Sequence, residues 1–105
     1  MNAYDPKGYG DRGSRPNGLT ELDRANLRAL LRTLFRQHGT WVKVAHLLAF
    51  RRETVKGFFD GKLDGNMALA RSIANVVKLD IEDALDGRFV ITAKGEILPQ
   101  KRGAK

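Results

Sequence analysis

The side chains able to carry chemistry in this 105-residue sequence are mostly cations: 19 Lys and Arg stand against 12 Asp and Glu, a net charge of +7 at neutral pH. Such an excess favours polyanionic partners, nucleic acid first among them. Residues 1–18 carry three cations and two carboxylates, residues 19–89 twelve and nine, and residues 90–105 four and one, so both the body and the C-terminal end are basic. Nothing beside these cations assembles into a catalytic set. Cysteine is absent, which excludes disulfides, thiolate metal sites and a thiol nucleophile and fits a reducing cytoplasm. His38 and His46 are the only imidazoles and have no ligand cluster around them, so they read as surface or helix-end residues rather than as a zinc site. Ser14 and Ser72 lack His and acidic partners at any readable spacing. Asp80, Glu82, Asp83 and Asp86 crowd one short segment, where helix capping and the helix dipole explain acids more simply than catalysis does. Gly8-Tyr9-Gly10-Asp11-Arg12-Gly13 matches the dinucleotide-binding glycine pattern in form, but no strand precedes it and Pro16 stops a helix soon after. The expectation is a protein that is not an enzyme and has no cofactor, metal or small-molecule substrate.

The elements that must position the cations follow from hydrophobic periodicity. Residues 1–18 are rich in Gly, with Pro6, Pro16 and scattered charge, too little apolar material to offset the entropy of ordering, and read as a disordered arm. Leu27, Leu30, Leu31, Leu34 and Phe35 then recur at three- and four-residue spacing, predicting a helix over about residues 21–37. Thr20 with Asp23 forms a variant capping box at its start, and Gly39 can stop it. Arg24, Arg28, Arg32 and Arg36, four apart, make a basic stripe beside the apolar face, either solvated or in contact with phosphate at one end. A two-turn helix after Thr40 buries Trp41, Val44, Ala45 and Leu48. A third, about residues 52–60, buries Val55, Phe58 and Phe59 and turns Arg52, Glu53 and Lys56 the other way, with Gly61 ending it. Asn66 or a neighbour opens a fourth helix running to about Lys78, with Leu69, Ala70, Ile73 and Val76 or Val77 inward. Asp80 opens a short fifth, with Ile81, Ala84 and Leu85 inward and Gly87 at its end. Residues 89–98 switch to β-branched residues around Lys94-Gly95 and read as a hairpin that needs either the bundle or a second subunit to pack on. Residues 99–105 form a basic tail. The fold class expected is all-α, a compact five-helix bundle at residues 19–88 with a short C-terminal β-hairpin. No basic segment followed by an apolar run opens the chain and no stretch is long enough to span a bilayer, which predicts a soluble, unprocessed, cytoplasmic protein.

The stretch Thr40-Trp-Val-Lys-Val-Ala-His-Leu-Leu-Ala-Phe-Arg-Arg-Glu-Thr-Val-Lys-Gly-Phe-Phe-Asp-Gly-Lys62 resembles the helix-turn-helix of the Cro and phage-repressor family of transcription regulators. Ala45 stands where the family has a small residue that lets two helices cross closely. Leu48 precedes the turn, Phe50 fills the core beneath it, and Val55 and Phe58 anchor the second helix. Phe59-Asp60-Gly61-Lys62 is similar to the family's helix-ending segment, and Lys78-Leu-Asp-Ile-Glu-Asp-Ala-Leu85 to its last helix, so the resemblance covers about residues 20–87. It implies a repressor-like bundle whose second motif helix enters the major groove of double-stranded DNA. By position, Arg51, Arg52, Glu53 and Lys56 would then face bases. Arg52 is the preferred reader of guanine, Glu53 either accepts from cytosine or serves the helix dipole, and Lys56 reaches a base or a phosphate. Thr40, Lys43 and Lys62 would hold phosphates, assisted by backbone amides at the start of the preceding helix. Trp41 reads as a partly buried anchor rather than a base-stacking residue.

Three residues depart from the family's pattern. Ala49 stands at the turn where Gly is usual, Arg51 replaces the usual Ser or Thr cap, and Gly57 leaves no side chain where relatives often touch a base, which invites a close backbone approach. The function implied is a sequence-specific, nucleoid-associated transcriptional regulator. A homodimer is expected, with the hairpin at 89–98 as its dimerisation element, because one short helix reads few base pairs. Two other readings stand beside it: an antitoxin-like or adaptor module that binds an acidic protein, and a non-specific nucleic-acid binder using the Arg stripe and the tails.

Overall fold

A computed structural model describes residues 18–100. The arm at residues 1–17, its glycine pattern and Ser14, and the tail at 101–105 lie outside the described residues. The described chain forms α1 (Glu21–His38), α2 (Trp41–Leu48), α3 (Arg52–Phe59), α4 (Met67–Val77), α5 (Ile81–Asp86), β1 (Phe89–Ile91) and β2 (Ile97–Pro99). It is a mostly helical bundle with a small two-stranded sheet.

Helix α1 is the spine of the bundle and contacts each of the other four helices. Its apolar stripe explains why: Leu27, Leu30 and Leu31 are fully buried and Leu34 nearly so. The start of α1 is tied down by a reciprocal capping box in which Asp23 N–H donates to Thr20 Oγ1 (3.0 Å) and Thr20 N–H donates to Asp23 Oδ2 (2.9 Å). Two orphan amide groups are thereby satisfied beneath a buried carboxylate. Gly39, at φ 88°, ends the helix with its N–H on the Phe35 carbonyl. Thr40 and Asn66 cap α2 and α4, accepting from the amides of Lys43 and Leu69 at 3.2 and 2.9 Å. Asp80 occupies the cap position of α5 without a side-chain hydrogen bond. The acids beyond it serve another purpose: Asp83 and Asp86 grip Arg88 at 3.0 and 3.1 Å, and this tie holds the guanidinium above its ordinary pKa, Asp83 acting first through its hydrogen bond and Asp86 through its charge.

The core collects Val44, Ala45 and Leu48 of α2, Val55 and Phe58 of α3, Leu69, Ala70, Ile73, Ala74 and Val77 of α4, and Ala84 and Leu85 of α5. Asn26 of α1 donates to the Leu85 carbonyl at 2.7 Å, satisfying a carbonyl at the open end of α5. Gly65, between α3 and α4, is required twice over. Its φ is 74°, and a Cβ there would meet the Phe58 ring at 2.7 Å.

The hairpin is antiparallel, pairing Phe89 with Pro99, Val90 with Leu98 and Ile91 with Ile97. Phe89 and Ile97 pack on the bundle, and Gln37 of α1 donates to the Gly95 carbonyl at 2.6 Å. The bundle therefore supplies the packing partner that two isolated strands need.

The turn between α2 and α3 keeps the left-handed geometry that Gly would favour, although Ala49 stands in it at φ 62°, ψ 38°. The Phe50 N–H donates to the Ala45 carbonyl at 3.1 Å, closing the helix end. Replacing Ala49 by Gly removes an αL penalty of roughly 1–2 kcal/mol and adds an unfolded-state entropy cost of roughly 0.5–1 kcal/mol. Ala49→Gly is expected to raise the unfolding free energy by about 0.5–1 kcal/mol. Urea denaturation with an unchanged m-value would show this, and a destabilised variant would show that the turn is not strained.

Candidate nucleic-acid interface

Helix α3 has only eight residues, too few to be stable alone, so its place is set by what grips it. Val55 and Phe58 are fully buried. Phe59, half-buried, lies in an aromatic row: its ring centroid is 4.8 Å from that of Trp41, which in turn stacks on Phe35 at 4.7 Å. Trp41 is thus an anchor joining α1, α2 and α3.

Polar ties complete the grip at two points. Arg28 of α1 donates through Nε to the Phe58 carbonyl at 2.8 Å, and its guanidinium lies 4.8 Å from the centroid of the Phe58 ring. Ser72 of α4 donates to the Leu48 carbonyl, the last of α2, at 2.6 Å. One bond fixes the C-terminal end of α3 and the other fixes the α2 end from which α3 departs. Neither role is legible from sequence. The stripe containing Arg28, which its own helix presents as solvated or phosphate-binding, divides in the structure. Arg24 donates to the Leu19 carbonyl at 2.6 Å, Arg28 holds α3, Arg32 lies 5.8 Å from the Phe59 ring, and Arg36 stays exposed beside the hairpin. Spacing showed that these cations share a face, but which of them reach a neighbouring carbonyl depends on the packing of α3.

The opposite side of α3 is open. Arg51, Arg52 and Glu53 are exposed, and Lys43 and Lys62 are exposed at its flanks. Arg51 takes the cap position with extended backbone and makes no side-chain cap hydrogen bond. Lys56, half-buried, pairs with Asp60 one turn on, Nζ to Oδ2 at 2.7 Å. This pair sets Lys56 apart from the two arginines, because a polyanion would have to compete with Asp60 for it. Exposed Thr40 accepts from the Lys43 amide through Oγ1 as the α2 cap, which leaves its hydroxyl proton able to donate. Together residues 40–62 contribute five Lys and Arg against Glu53 and Asp60, a surface suited to a polyanion.

Gly57 lies on this open side, and what approaches it is a side chain. A Cβ at Gly57 would meet Leu63 Cδ1 at 2.8 Å and Cγ at 3.1 Å. The sequence carries no signal for Leu63, because it lies in a connecting loop with no periodicity to mark it. His38 is half-buried at the end of α1 and His46 is exposed on α2. Among the described residues no group of three or more His, Asp or Glu is placed to hold a metal ion, and no helix is long and apolar enough to cross a membrane.

If Arg28 is the clasp on α3, Arg28→Met keeps the aliphatic stem and loses the bond. The expected outcome is a loss of about 1–2 kcal/mol of stability, with amide exchange accelerated in α3 more than in α4. Uniform acceleration, or none, would remove Arg28 from that role. Compared with known proteins, the chain matches no protein-family model, no curated protein and no solved structure.

Proposed function

We propose that the protein is a sequence-specific regulator of transcription that binds double-stranded DNA, its α2–α3 unit serving as a helix-turn-helix of the Cro and phage-repressor kind. The observation that carries the reading is the two-sidedness of α3: one side is clamped by Val55, Phe58 and the Arg28 bond, and the other offers Arg51, Arg52 and Glu53 to solvent. A helix with its side chains is about 10–12 Å across, which fits the roughly 12 Å width of a B-DNA major groove. Arg52, in the first turn, is the residue assigned to guanine, and Arg51 to guanine or a phosphate. Glu53 either accepts from a cytosine amino group or balances the helix dipole, and Lys56 joins the contact on leaving Asp60. Thr40, Lys43 and Lys62 flank the helix as phosphate contacts, with the amides opening α2 beside them.

The hairpin supplies the second half of the proposal. Val90 and Leu98 are cross-strand partners on the side away from the bundle, and both are 46% exposed. A homodimer pairing these ridges would double the number of base pairs read. The adaptor reading keeps one observation of its own, the exposed Val42 and Leu47 beside His38 and His46 on the outer side of α2.

Selection of bound duplexes from a random pool tests the proposal, with an enriched two-fold-symmetric site expected. Affinity for that site should fall at least about a hundredfold between roughly 50 and 200 mM salt. Arg52→Ala should lose about 1–3 kcal/mol of discrimination at one position per half-site while retaining non-specific binding. Salt-insensitive binding, or equal weakening on all sequences, would reject the regulator reading. Leu98→Glu is expected to shift the protein to monomer in sedimentation and to abolish the preference for the symmetric site. A variant still dimeric would place the interface elsewhere.

A further inference from the structure

The outward row of α3 runs through Glu53, Gly57 and Asp60, because residues three and four apart share a helix face and Val55 and Phe58 point into the core. Gly57 is the gap in that row. The chain leaving α3 folds back across the gap: the Gly57 carbonyl accepts from the amides of both Lys62 (2.9 Å) and Leu63 (3.1 Å). That pair of hydrogen bonds to one carbonyl sets Leu63 against α3. Its Cδ1 and Cγ come within 2.8 and 3.1 Å of the position a Cβ at Gly57 would take, so the loop leucine occupies the space that a residue-57 side chain would fill. Leu63 nevertheless remains 45% exposed. The result is an apolar knob in a row of charged groups, held by backbone hydrogen bonds rather than by burial.

We infer that Leu63 is a specificity-determining residue of the proposed DNA-reading face, making van der Waals contact with the C5-methyl group of a thymine. The chemistry is selective because the thymine methyl is the apolar feature that base pairs display in the major groove, and a leucine has nothing to offer their donors and acceptors. Gly57 belongs to the same device, since any side chain there would displace Leu63. The inference rests on the reading that α3 enters the major groove, and the test separates the two.

The experiment uses the full chain and the duplex obtained by selection, with each thymine replaced in turn by deoxyuridine, which lacks only the methyl. Wild-type protein is expected to lose about fourfold in affinity at one thymine per half-site, the worth of one buried methyl group. Leu63→Ala should bind the unmodified duplex about as weakly as wild type binds the deoxyuridine duplex, and should be indifferent to the replacement. Gly57→Ala, which pushes Leu63 away while leaving the leucine in the sequence, should show the same indifference, and thermal unfolding of both variants confirms that they are folded. Wild-type binding indifferent to deoxyuridine at every position overturns the assignment of Leu63 while leaving the regulator reading intact. So does sensitivity that survives in Leu63→Ala. Failure of the wild type to bind any duplex overturns both.

Discussion

The placement of α3 depends on Phe58 more than on any other residue. Its ring is fully buried and packs so closely on Gly65 that no side chain could stand there, while its carbonyl and one side of its ring are both engaged by Arg28. The one guanidinium adds a second donor to a carbonyl that also accepts from the Gly61 amide and covers the aromatic ring as well, a combination in which loss of either part weakens the other. A helix of two turns has little intrinsic stability, so its direction is inherited from this contact and from the Trp41–Phe59 pair at its flank. The exposed cations on its other side are therefore set on a rigid support, although they make few contacts themselves.

Much of this fold was legible in the residues. The three- and four-residue spacing of Leu27 to Phe35 marks α1 to within about a residue of its ends, and Thr20, Thr40 and Asn66 stand where helices start because their side-chain oxygens accept from amides that the first turn leaves unpaired. The exposure of Arg52 and Glu53 was equally legible, since Val55 and Phe58 had to point the other way, whereas Lys56, expected on the same side, is half-buried and paired with Asp60. Other features were hidden for a physical reason. Arg24 and Arg28 look like solvated surface when only their own helix is considered, and their partners, the carbonyls of Leu19 and Phe58, are set by how other segments dock. Ser72, read as a serine without catalytic partners, is a donor to α2 for the same reason. Asp80 shows the converse: its type predicts a capping bond, yet its side chain makes none, and the acids after it are drawn to Arg88 instead.

Gly57 shows how a local rule can point to the right place and the wrong cause. A glycine inside a helix costs up to about 1 kcal/mol relative to alanine, so its presence signals a close approach. The approach comes from Leu63, six residues later in a loop whose composition carries no periodic signal. Helical periodicity assigns side chains to faces of their own element. It says nothing about a side chain from the next loop that lies down on such a face.

Ala49, Arg51 and Gly57 each set local stability aside within nine residues, and their effects gather at α3. Ala49 holds a left-handed conformation, Gly57 weakens the helix interior, and Arg51 occupies the cap position without a capping bond. Arg51 and Arg52 also place two cations at the positive end of the helix dipole, with Glu53 alone to oppose them in the first turn. Lys78 at φ 63° and the unbonded cap Asp80 repeat two of these departures beside α4 and α5, but between Ala49 and Gly57 three fall on one short unit. Such conflicts gather where a surface is shaped for contact rather than for its own stability. Under the proposed reading the conflict is relieved on binding, because a polyanion against the N-terminal end of α3 turns the repulsion of Arg51 and Arg52 from the dipole into attraction for the ligand. The clasp of Arg28 on Phe58 is what allows so poorly capped a helix to wait in place for that contact.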